Sequence, residues 1–117
     1  MRVLVTGGGG FLGAATTRAM LGRGDRVIAF DTQFAAQDAD APGLERVTGS
    51  VTDLAALAQV MLAHKPDAVV HAAAIVGALA SLSSPLEVVR VNVEGSINVF
   101  EAMRLAGVRR CIHLSSE

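Results

Sequence analysis

The stretch VTGGGGFLG at residues 5–13 is the feature that most constrains how this chain can fold. A β-branched apolar run, RVLVT (2–6), leads into four consecutive glycines, and apolar residues then recur with helical spacing from Phe11 to Leu21. Glycine allows backbone angles and close approaches that side chains prevent in other residues. The stretch therefore predicts a buried strand, a tight turn and a helix that packs closely against the strand.

Four further apolar runs predict the remaining strands. They end at small, polar or turn-forming residues, as buried strands of a parallel sheet do, and they occupy residues 26–30, 44–49, 67–74 and 110–116. The small and polar residues 32–43, which include Pro42, predict a surface loop or a weak helix.

Three helices are predicted between these strands. The helix from Phe11 to Leu21 has its apolar residues at positions 12, 15, 19 and 20. The second extends from the capping candidates Thr52 and Asp53 to the breaker pair Lys65-Pro66, with Leu54, Leu57 and Met61 on one face. The third begins at Pro85 and ends near Ala106, before Gly107.

The alternation of strands and helices determines the fold class. It predicts an α/β protein with a doubly wound parallel sheet, the Rossmann architecture, of about five strands in the order 3-2-1-4-5. The 117 residues suffice for one domain, 1–117. In such a sheet a ligand binds beyond the carboxyl ends of the strands at the point where the strand order reverses. That point lies between strands 1 and 4.

The composition excludes several other classes of protein. A net charge of −1, with Lys65 as the only lysine, argues against a nucleic-acid or anionic-membrane surface. Cys111 is the only cysteine, which excludes an internal disulfide and favours the cytoplasm. No apolar run approaches the roughly 18 residues of a membrane span, so we expect a soluble protein. The spacing of His64, His71 and His113 predicts no metal site.

The glycine loop fits two patterns that bind dinucleotides. G-x-G-x-x-G begins at Gly8, and T-G-x-x-G-x-x-G begins at Thr6; both share Gly10 and Gly13. In the second, Gly7 allows the turn, Gly10 lets backbone approach a pyrophosphate, and Gly13 lets helix and sheet pack closely. The first amides of the following helix, at Phe11 and Leu12, are expected to bind the phosphates.

An acidic residue completes the dinucleotide pattern. Asp31 ends the second predicted strand, 18 residues after Gly13, where a carboxylate can accept both ribose hydroxyls of the adenosine half. The same charge repels a 2′-phosphate, so the predicted cofactor is NAD rather than NADP. The alternative is a glycine turn that only packs, with Asp31 as a solvated cap.

Motifs further along the chain carry a family resemblance. In order they are TGGGGFLG (6–13), Asp-Leu (53–54), HAAA (71–74), VNVEG (91–95) and HLSSE (113–117). With these motifs the chain resembles the extended short-chain dehydrogenase/reductases, the family of nucleotide-sugar epimerases and dehydratases. The resemblance selects the glycine pattern that begins at Thr6.

The resemblance implies roles for several residues at the cofactor. Asp53 would bond the adenine amino group, with Leu54 contributing backbone; the alternative is that Asp53 caps a helix, and the two roles are compatible. Small residues at Ala72, Ala73 and Ala74 would leave room for ribose and pyrophosphate; the alternative is close helix–sheet packing. His71 is expected to be a hydrogen-bonded structural residue.

The resemblance also implies residues on the reactive side of the site. Asn92 would lie near the nicotinamide, although an asparagine within a helix also often bonds neighbouring backbone. Ser116 would be the catalytic hydroxyl that hydrogen-bonds the substrate atom being oxidised. The family's proton-transfer tyrosine, and the lysine four residues after it, have no counterpart, because the sequence contains no tyrosine.

These motifs predict the N-terminal, NAD-binding part of an epimerase/dehydratase-type oxidoreductase. The complete protein is expected to act by hydride transfer on a nucleotide-linked sugar and to extend beyond residue 117. It is predicted to bind a small-molecule substrate and no nucleic acid or membrane, and to be able to form a homodimer. The alternative functions are a non-catalytic dinucleotide sensor and an inactive truncated product with an exposed edge strand at 110–114.

Overall fold

The computed structural model describes residues 1–36 and 40–116 of the chain. Five strands form one sheet: β1 Arg2–Thr6, β2 Arg26–Asp31, β3 Leu44–Thr48, β4 Ala68–His71 and β5 Cys111–His113. Every pair of neighbours is parallel, and the order is β3-β2-β1-β4-β5, which confirms the predicted fold class and strand order. The register places Thr6 opposite both Phe30 and His71, so β1, β2 and β4 end at one edge.

Helices cover both faces of this sheet. They are α1 Phe11–Gly22, α2 Leu54–His64, α3 Ala78–Ser83, α4 Pro85–Val89 and α5 Gly95–Ala106, with a π-helical segment, Arg90–Glu94, between α4 and α5. Backbone angles stay helical through both junctions, so α4, the π segment and α5 form one continuous unit, hereafter the long helix. The long helix confirms the predicted bounds; the π segment and α3 were not predicted.

Local sequence signals explain where the helices begin and end. The Asp53 side chain accepts a hydrogen bond from the Ala56 backbone N–H, which caps α2. Lys65 ends α2 in the left-handed conformation, and Pro66 prevents its continuation. The left-handed Gly107 ends α5 in the same way. These caps agree with the sequence prediction.

The larger hydrophobic core lies between the sheet and the pair α2 and α5. It contains buried apolar residues from strands and helices alike, among them Leu4, Phe30, Leu57, Met61, Val69, Val99 and Met103. A smaller core, formed by Val3, Val5, Val27 and Val70, lies on the opposite face under Met20 and Leu21 of α1. Both faces of the central strands are therefore buried, as continuous apolar runs require.

The four apolar positions of α1 at helical spacing do not form one buried face. Leu12, Ala15 and Ala19 are exposed, whereas Gly13 and Thr17 are buried. The reason is the contact at the start of the helix, where Gly13 lies directly on the carbonyl group of Gly7. That contact fixes the rotation of α1 and turns a small-residue face, rather than the more apolar one, toward the sheet.

The last two strands are shorter than their apolar runs. β4 stops at His71: the Ala72 N–H still makes the ladder bond to the Thr6 carbonyl, whereas the Ala73 N–H bonds the Thr6 hydroxyl. β5 comprises three residues and lies at the edge of the sheet. In the described part of the predicted 32–43 segment, residues 32–36 and 40–43 form turns and coil; 37–39 lie outside the description. No helix within the described ranges is long and apolar enough to cross a membrane.

Candidate cofactor site

A cleft of about 570 Å³ opens at the carboxyl ends of the central strands, where the strand order reverses. Its lining brings together nine of the predicted site residues: Gly7, Gly10, Phe11, Leu12, Gly13, Asp31, Ala72, Ala73 and Ala74. Further lining residues follow β2, β3 and β4 or belong to the long helix, and were not predicted: Phe30, Thr32, Gly49, Ser50, Val51, Ile75, Val76 and Val91. Most of them could have been predicted from the sequence, because they directly follow the carboxyl end of a strand.

Gly7 and Gly13 are glycines because the fold leaves no room for a side chain. Gly7 has a φ of +69°, and a Cβ there would lie 2.7 Å from the Ala73 backbone nitrogen. A Cβ on Gly13 would overlap the Gly7 carbonyl oxygen. Since Gly7 and not Gly8 takes the left-handed turn conformation, the geometry agrees with the pattern that begins at Thr6.

Gly8 and Gly9 explain why the glycine run is four residues long. A Cβ on Gly8 would lie 2.7 Å from the Ala29 Cβ of β2, and one on Gly9 would collide with the carbonyl oxygen of Gln33. The Gly9 N–H also donates to Asp31 Oδ2 at 3.0 Å. These two glycines therefore seat the loop against β2 and the residues after it.

Gly10 differs from the other three glycines. Its φ is −83°, which any residue adopts, and a Cβ would meet, among the described atoms, only the Gly7 carbonyl oxygen at 3.3 Å. No described side chain caps α1 at this position, so the first N–H groups of the helix face the cleft without an intrahelical partner. Gly10 thus keeps the approach to a helix N-terminus open, the arrangement that suits a phosphate.

The carboxylate of Asp31 is held at the edge of the cleft by backbone donors. Its Oδ2 accepts the Gly9 N–H at 3.0 Å, and its Oδ1 accepts the Thr32 N–H at 2.7 Å. Each carboxylate oxygen can accept more than one hydrogen bond. The group therefore has a fixed orientation and retains capacity for the two hydroxyls of a ribose.

His71 links β1, β4 and the long helix beneath the cleft. Its Nδ1 lies 2.6 Å from Thr6 Oγ1 and its Nε2 lies 2.9 Å from Ser96 Oγ. Ser96 donates its own proton to the Asn92 carbonyl at 2.7 Å, so it accepts from Nε2–H, and Nδ1 accepts the Thr6 hydroxyl. Burial, and secondarily the nearby His113, lower the pKa of His71 to about 4. His71 is thus a neutral structural residue, as expected.

Asn92 bonds the loop that follows β4. Its Oδ1 accepts the Ile75 N–H at 2.8 Å, and its Nδ2 donates to the Ile75 carbonyl at 2.9 Å. Asn92 is not among the residues that line the cleft, whereas Ile75 is. The Asn92 side chain therefore bonds backbone, as in the alternative given above, but its partner lies 17 residues earlier in the chain.

Besides Asn92, three predicted residues lie away from the lining of the cleft. Asp53 caps α2, and Leu54, the first residue of that helix, packs against the larger core. Ser116 lies exposed beyond β5, and it too is not among the lining residues. Glu117, the last residue of the HLSSE motif, lies outside the described residues.

The described residues contain neither a metal-binding cluster nor an activated thiol. Within residues 1–36 and 40–116, no three His, Cys, Asp or Glu side chains are grouped so as to hold a metal ion. Cys111 packs against the larger core, and burial raises the pKa of its thiol, which disfavours the reactive thiolate.

The strand order and the glycine loop at the reversal point define a domain of the Rossmann class. Comparison with known proteins specifies the class further. The family described as "NAD dependent epimerase/dehydratase family" matches residues 3–117. The chain therefore belongs to the NAD dependent epimerase/dehydratase family.

Individual relatives agree with this assignment. A UDP-glucose 4-epimerase of Erwinia amylovora is 36% identical over 124 residues, which cover 99% of this chain and 37% of that protein. One of Klebsiella pneumoniae is 33% identical over 124 residues, covering 99% of this chain and 89% of the other. The chain thus spans little more than a third of the first relative and most of the second.

A solved structure gives the same result in three dimensions. The UDP-glucose-4-epimerase of Stenotrophomonas maltophila, with bound NAD and formylated UDP-arabinopyranose, superposes with a TM-score of 0.87 at 31% identity. The match covers 99% of this chain and 37% of that one. The similarity is therefore to one part of a longer enzyme.

Proposed function

We propose that this chain binds NAD in the cleft at the carboxyl ends of β1, β2 and β4. The observation that carries the proposal is the glycine at position 10. A side chain there would disturb the packing of the fold little, but it would block the approach of a ligand to the N-terminus of α1. With the pyrophosphate over Gly10, the N–H groups of Phe11 and Leu12 and the helix dipole bind its oxygens. Ala72, Ala73 and Ala74 leave room for the remainder on the opposite side.

The adenosine half of NAD lies toward Asp31 in this proposal. The oriented carboxylate accepts the two ribose hydroxyls and disfavours the 2′-phosphate of NADP. The adenine then extends toward the start of α2, where Asp53 and Leu54 would meet it. The capping bond from Ala56 uses Oδ1 of Asp53, which leaves Oδ2 for the adenine amino group.

For the whole protein, we propose an oxidoreductase that acts on a nucleotide-linked sugar. The Erwinia and Klebsiella relatives are UDP-glucose 4-epimerases, and the solved relative holds NAD with a UDP-sugar. NAD, when bound, supplies the acceptor for the hydride that leaves the sugar carbon. Ser116 would hydrogen-bond the reacting hydroxyl; these 117 residues contain no tyrosine to take its proton.

The second candidate function is a dinucleotide-binding module without catalysis. The cleft fits this alternative as well as the first, since its residues can hold a cofactor without taking part in a reaction. The two functions differ in one measurement. Conversion of a UDP-sugar by the protein isolated from its source, with NAD present, supports the oxidoreductase. Tight NAD binding without conversion of any sugar nucleotide supports the module.

We also propose that two copies associate through the long helix. Its outer face carries exposed apolar residues at helical spacing: Leu82 before its start, then Leu86, Val89, Val93, Ile97 and Phe100. A continuous apolar stripe of this length is typical of a protein interface.

We assign the protein to the cytoplasm, where a single unpaired cysteine stays reduced.

The test of NAD binding compares two glycine substitutions. Calorimetric titration of the 117-residue chain with NAD should give saturable binding, and Gly10→Ala should weaken it at least about tenfold by blocking the pyrophosphate. Gly22→Ala is the matched control, because no described atom lies within 4 Å of its added methyl group. Equal NAD affinity in both variants contradicts the proposed binding mode.

A further inference from the structure

The long helix contacts both walls of the cleft through two asparagines six residues apart. Asn92 bonds the N–H and the carbonyl of Ile75, as described above. Asn98 donates from Nδ2 to the Val51 carbonyl at 2.9 Å, across 47 residues of sequence. Ile75 and Val51 both line the cleft, on the segments after β4 and after β3 respectively. One rigid element thus bonds the backbone of two opposed loops.

The wall that Asn98 bonds lies on the adenosine side. The Gly49 N–H donates to the Asp31 carbonyl at 2.9 Å, which joins this loop to the residue that faces the ribose. The loop then turns through Val51, and the Asp53 N–H donates to the Ser50 carbonyl at 3.0 Å. The position of the Val51 carbonyl therefore sets the path of the chain between Asp31 and the cap of α2.

The close approach of helix and loop depends on Gly95. A Cβ there would lie 2.6 Å from Val51 Cγ2, so glycine lets the helix backbone approach this buried side chain closely. Asn98 lies less than one turn further along and reaches the carbonyl of the same residue. Apolar packing and a hydrogen bond therefore fix Val51 from one helix.

The π segment sets the angle between the two asparagines. At its end the Gly95 N–H bonds the Arg90 carbonyl, five residues back instead of four. The wider turn rotates the residues that follow it relative to those before it. Asn92 lies within this turn and Asn98 lies beyond it, so the extra residue decides which loop each side chain can reach.

We infer that Asn98 is a positioning residue for the adenosine half of the cofactor, acting through Val51, while Asn92 positions the opposite wall through Ile75. The inference rests on the proposed binding of NAD. Each asparagine thus positions the wall beside a different half of the ligand. Loss of Asn98 alters the wall beside the adenosine, and loss of Asn92 alters the wall beside the nicotinamide.

The test measures two ligands in each variant. ADP contains the adenosine and both phosphates but lacks the nicotinamide half, so it reports on one wall. Asn98→Ala should weaken ADP and NAD by the same factor, about five- to tenfold, as expected for one lost hydrogen bond. Asn92→Ala should weaken NAD by a similar factor and leave ADP affinity within about twofold.

Controls separate positioning from general destabilisation. Met103→Ala removes a buried side chain from the same helix and should lower the melting temperature without changing either affinity while the protein is folded. Asn98→Leu keeps the side-chain size and removes the Nδ2 donor, so it replaces Asn98→Ala in the experiment if that variant does not fold. It too should weaken both ligands equally.

The outcomes are distinguishable. If the unsubstituted chain binds neither NAD nor ADP, the proposed function fails. If it binds both and the Asn98 variants retain ADP affinity as Met103→Ala does, the proposed function stands and the inference is overturned. An Asn92→Ala variant that loses ADP and NAD equally also overturns it, because the two walls would not act separately.

Discussion

Thr6 and His71, the last residues of two neighbouring parallel strands, are joined by a hydrogen bond of 2.6 Å between Oγ1 and Nδ1. The Thr6 hydroxyl also accepts the Ala73 N–H at 3.3 Å, which turns the chain out of β4 and toward the cleft. On its other side the His71 ring bonds Ser96 of the long helix. The glycine loop, the wall after β4 and the long helix are thus connected by one buried imidazole.

The buried His71 predicts a pH-dependent stability. Because its pKa is about 4 in the folded chain and ordinarily 6.5, the unfolded chain binds more protons between these values. The free energy of unfolding should be highest above pH 6.5 and fall by up to about 3 kcal/mol as the pH decreases to 4. Urea denaturation at several pH values measures this slope.

A matched pair of variants assigns that slope to one residue. His71→Phe removes the titrating group and should flatten the pH dependence, although it lowers stability at every pH. His64→Gln, at the other end of the sheet, leaves His71 in place and should retain the slope. A slope that persists in His71→Phe would contradict the assignment.

The carboxylate of Asp31 predicts cofactor preference. Asp31→Ala should weaken NAD binding by about 1–3 kcal/mol, the usual cost of losing a charged hydrogen-bond partner, and should narrow the preference over NADP. Titration with both cofactors measures the two effects. Glu87→Ala, an exposed carboxylate on α4, is the charge-matched control. Unchanged affinity for both cofactors would mean that Asp31 does not hydrogen-bond the ribose hydroxyls.

The packing of Gly13 predicts a loss of stability rather than a selective loss of binding. A methyl group there overlaps the Gly7 carbonyl, so Gly13→Ala should lower the free energy of unfolding by about 1–3 kcal/mol or more. Gly22→Ala, at the open end of the same helix, should be neutral or stabilising by up to about 1 kcal/mol. Chemical denaturation compares them, and equal stabilities would disprove the packing argument.

The apolar stripe on the long helix predicts a dimer. Ile97 is 60% exposed, so Ile97→Glu places a charge in the proposed interface at little expected cost to the isolated fold. Sedimentation analysis should show a dimer for the unsubstituted chain and for Gln59→Glu, an exposed control on α2, and a monomer for Ile97→Glu. An unsubstituted chain that stays monomeric at all concentrations would contradict the proposed dimer.

Much of the binding region was predictable because its signals are local. The strand RVLVT, the glycines and the acid at Asp31 occur in one βαβ unit, and the cap at Asp53 depends on its own next three residues. For the same reason the sequence located the ends of α2 and of the long helix. The family resemblance added the expected roles of Asn92, Ala72 and Ser116, which no local pattern distinguishes.

Errors and omissions occurred where contacts between distant segments decide the structure. The rotation of α1 depends on the contact of Gly13 with Gly7, which outweighs the larger apolar residues on the helix. β4 ends early because the hydroxyl of Thr6, 67 residues before Ala73, offers a competing hydrogen bond. In both cases a side chain or carbonyl from another element overrides the local pattern.

The sequence by itself determined the alternation of elements, the strand order and the position of the glycine loop, since periodicity, caps and the handedness of crossovers act within short segments. Only the tertiary structure decided what the glycines and asparagines contact. Gly8 and Gly9 face β2, and Asn98 bonds Val51, 47 residues away. Such pairings leave no periodic signal, because a hydrogen bond between distant residues is set by how the helices and the sheet pack.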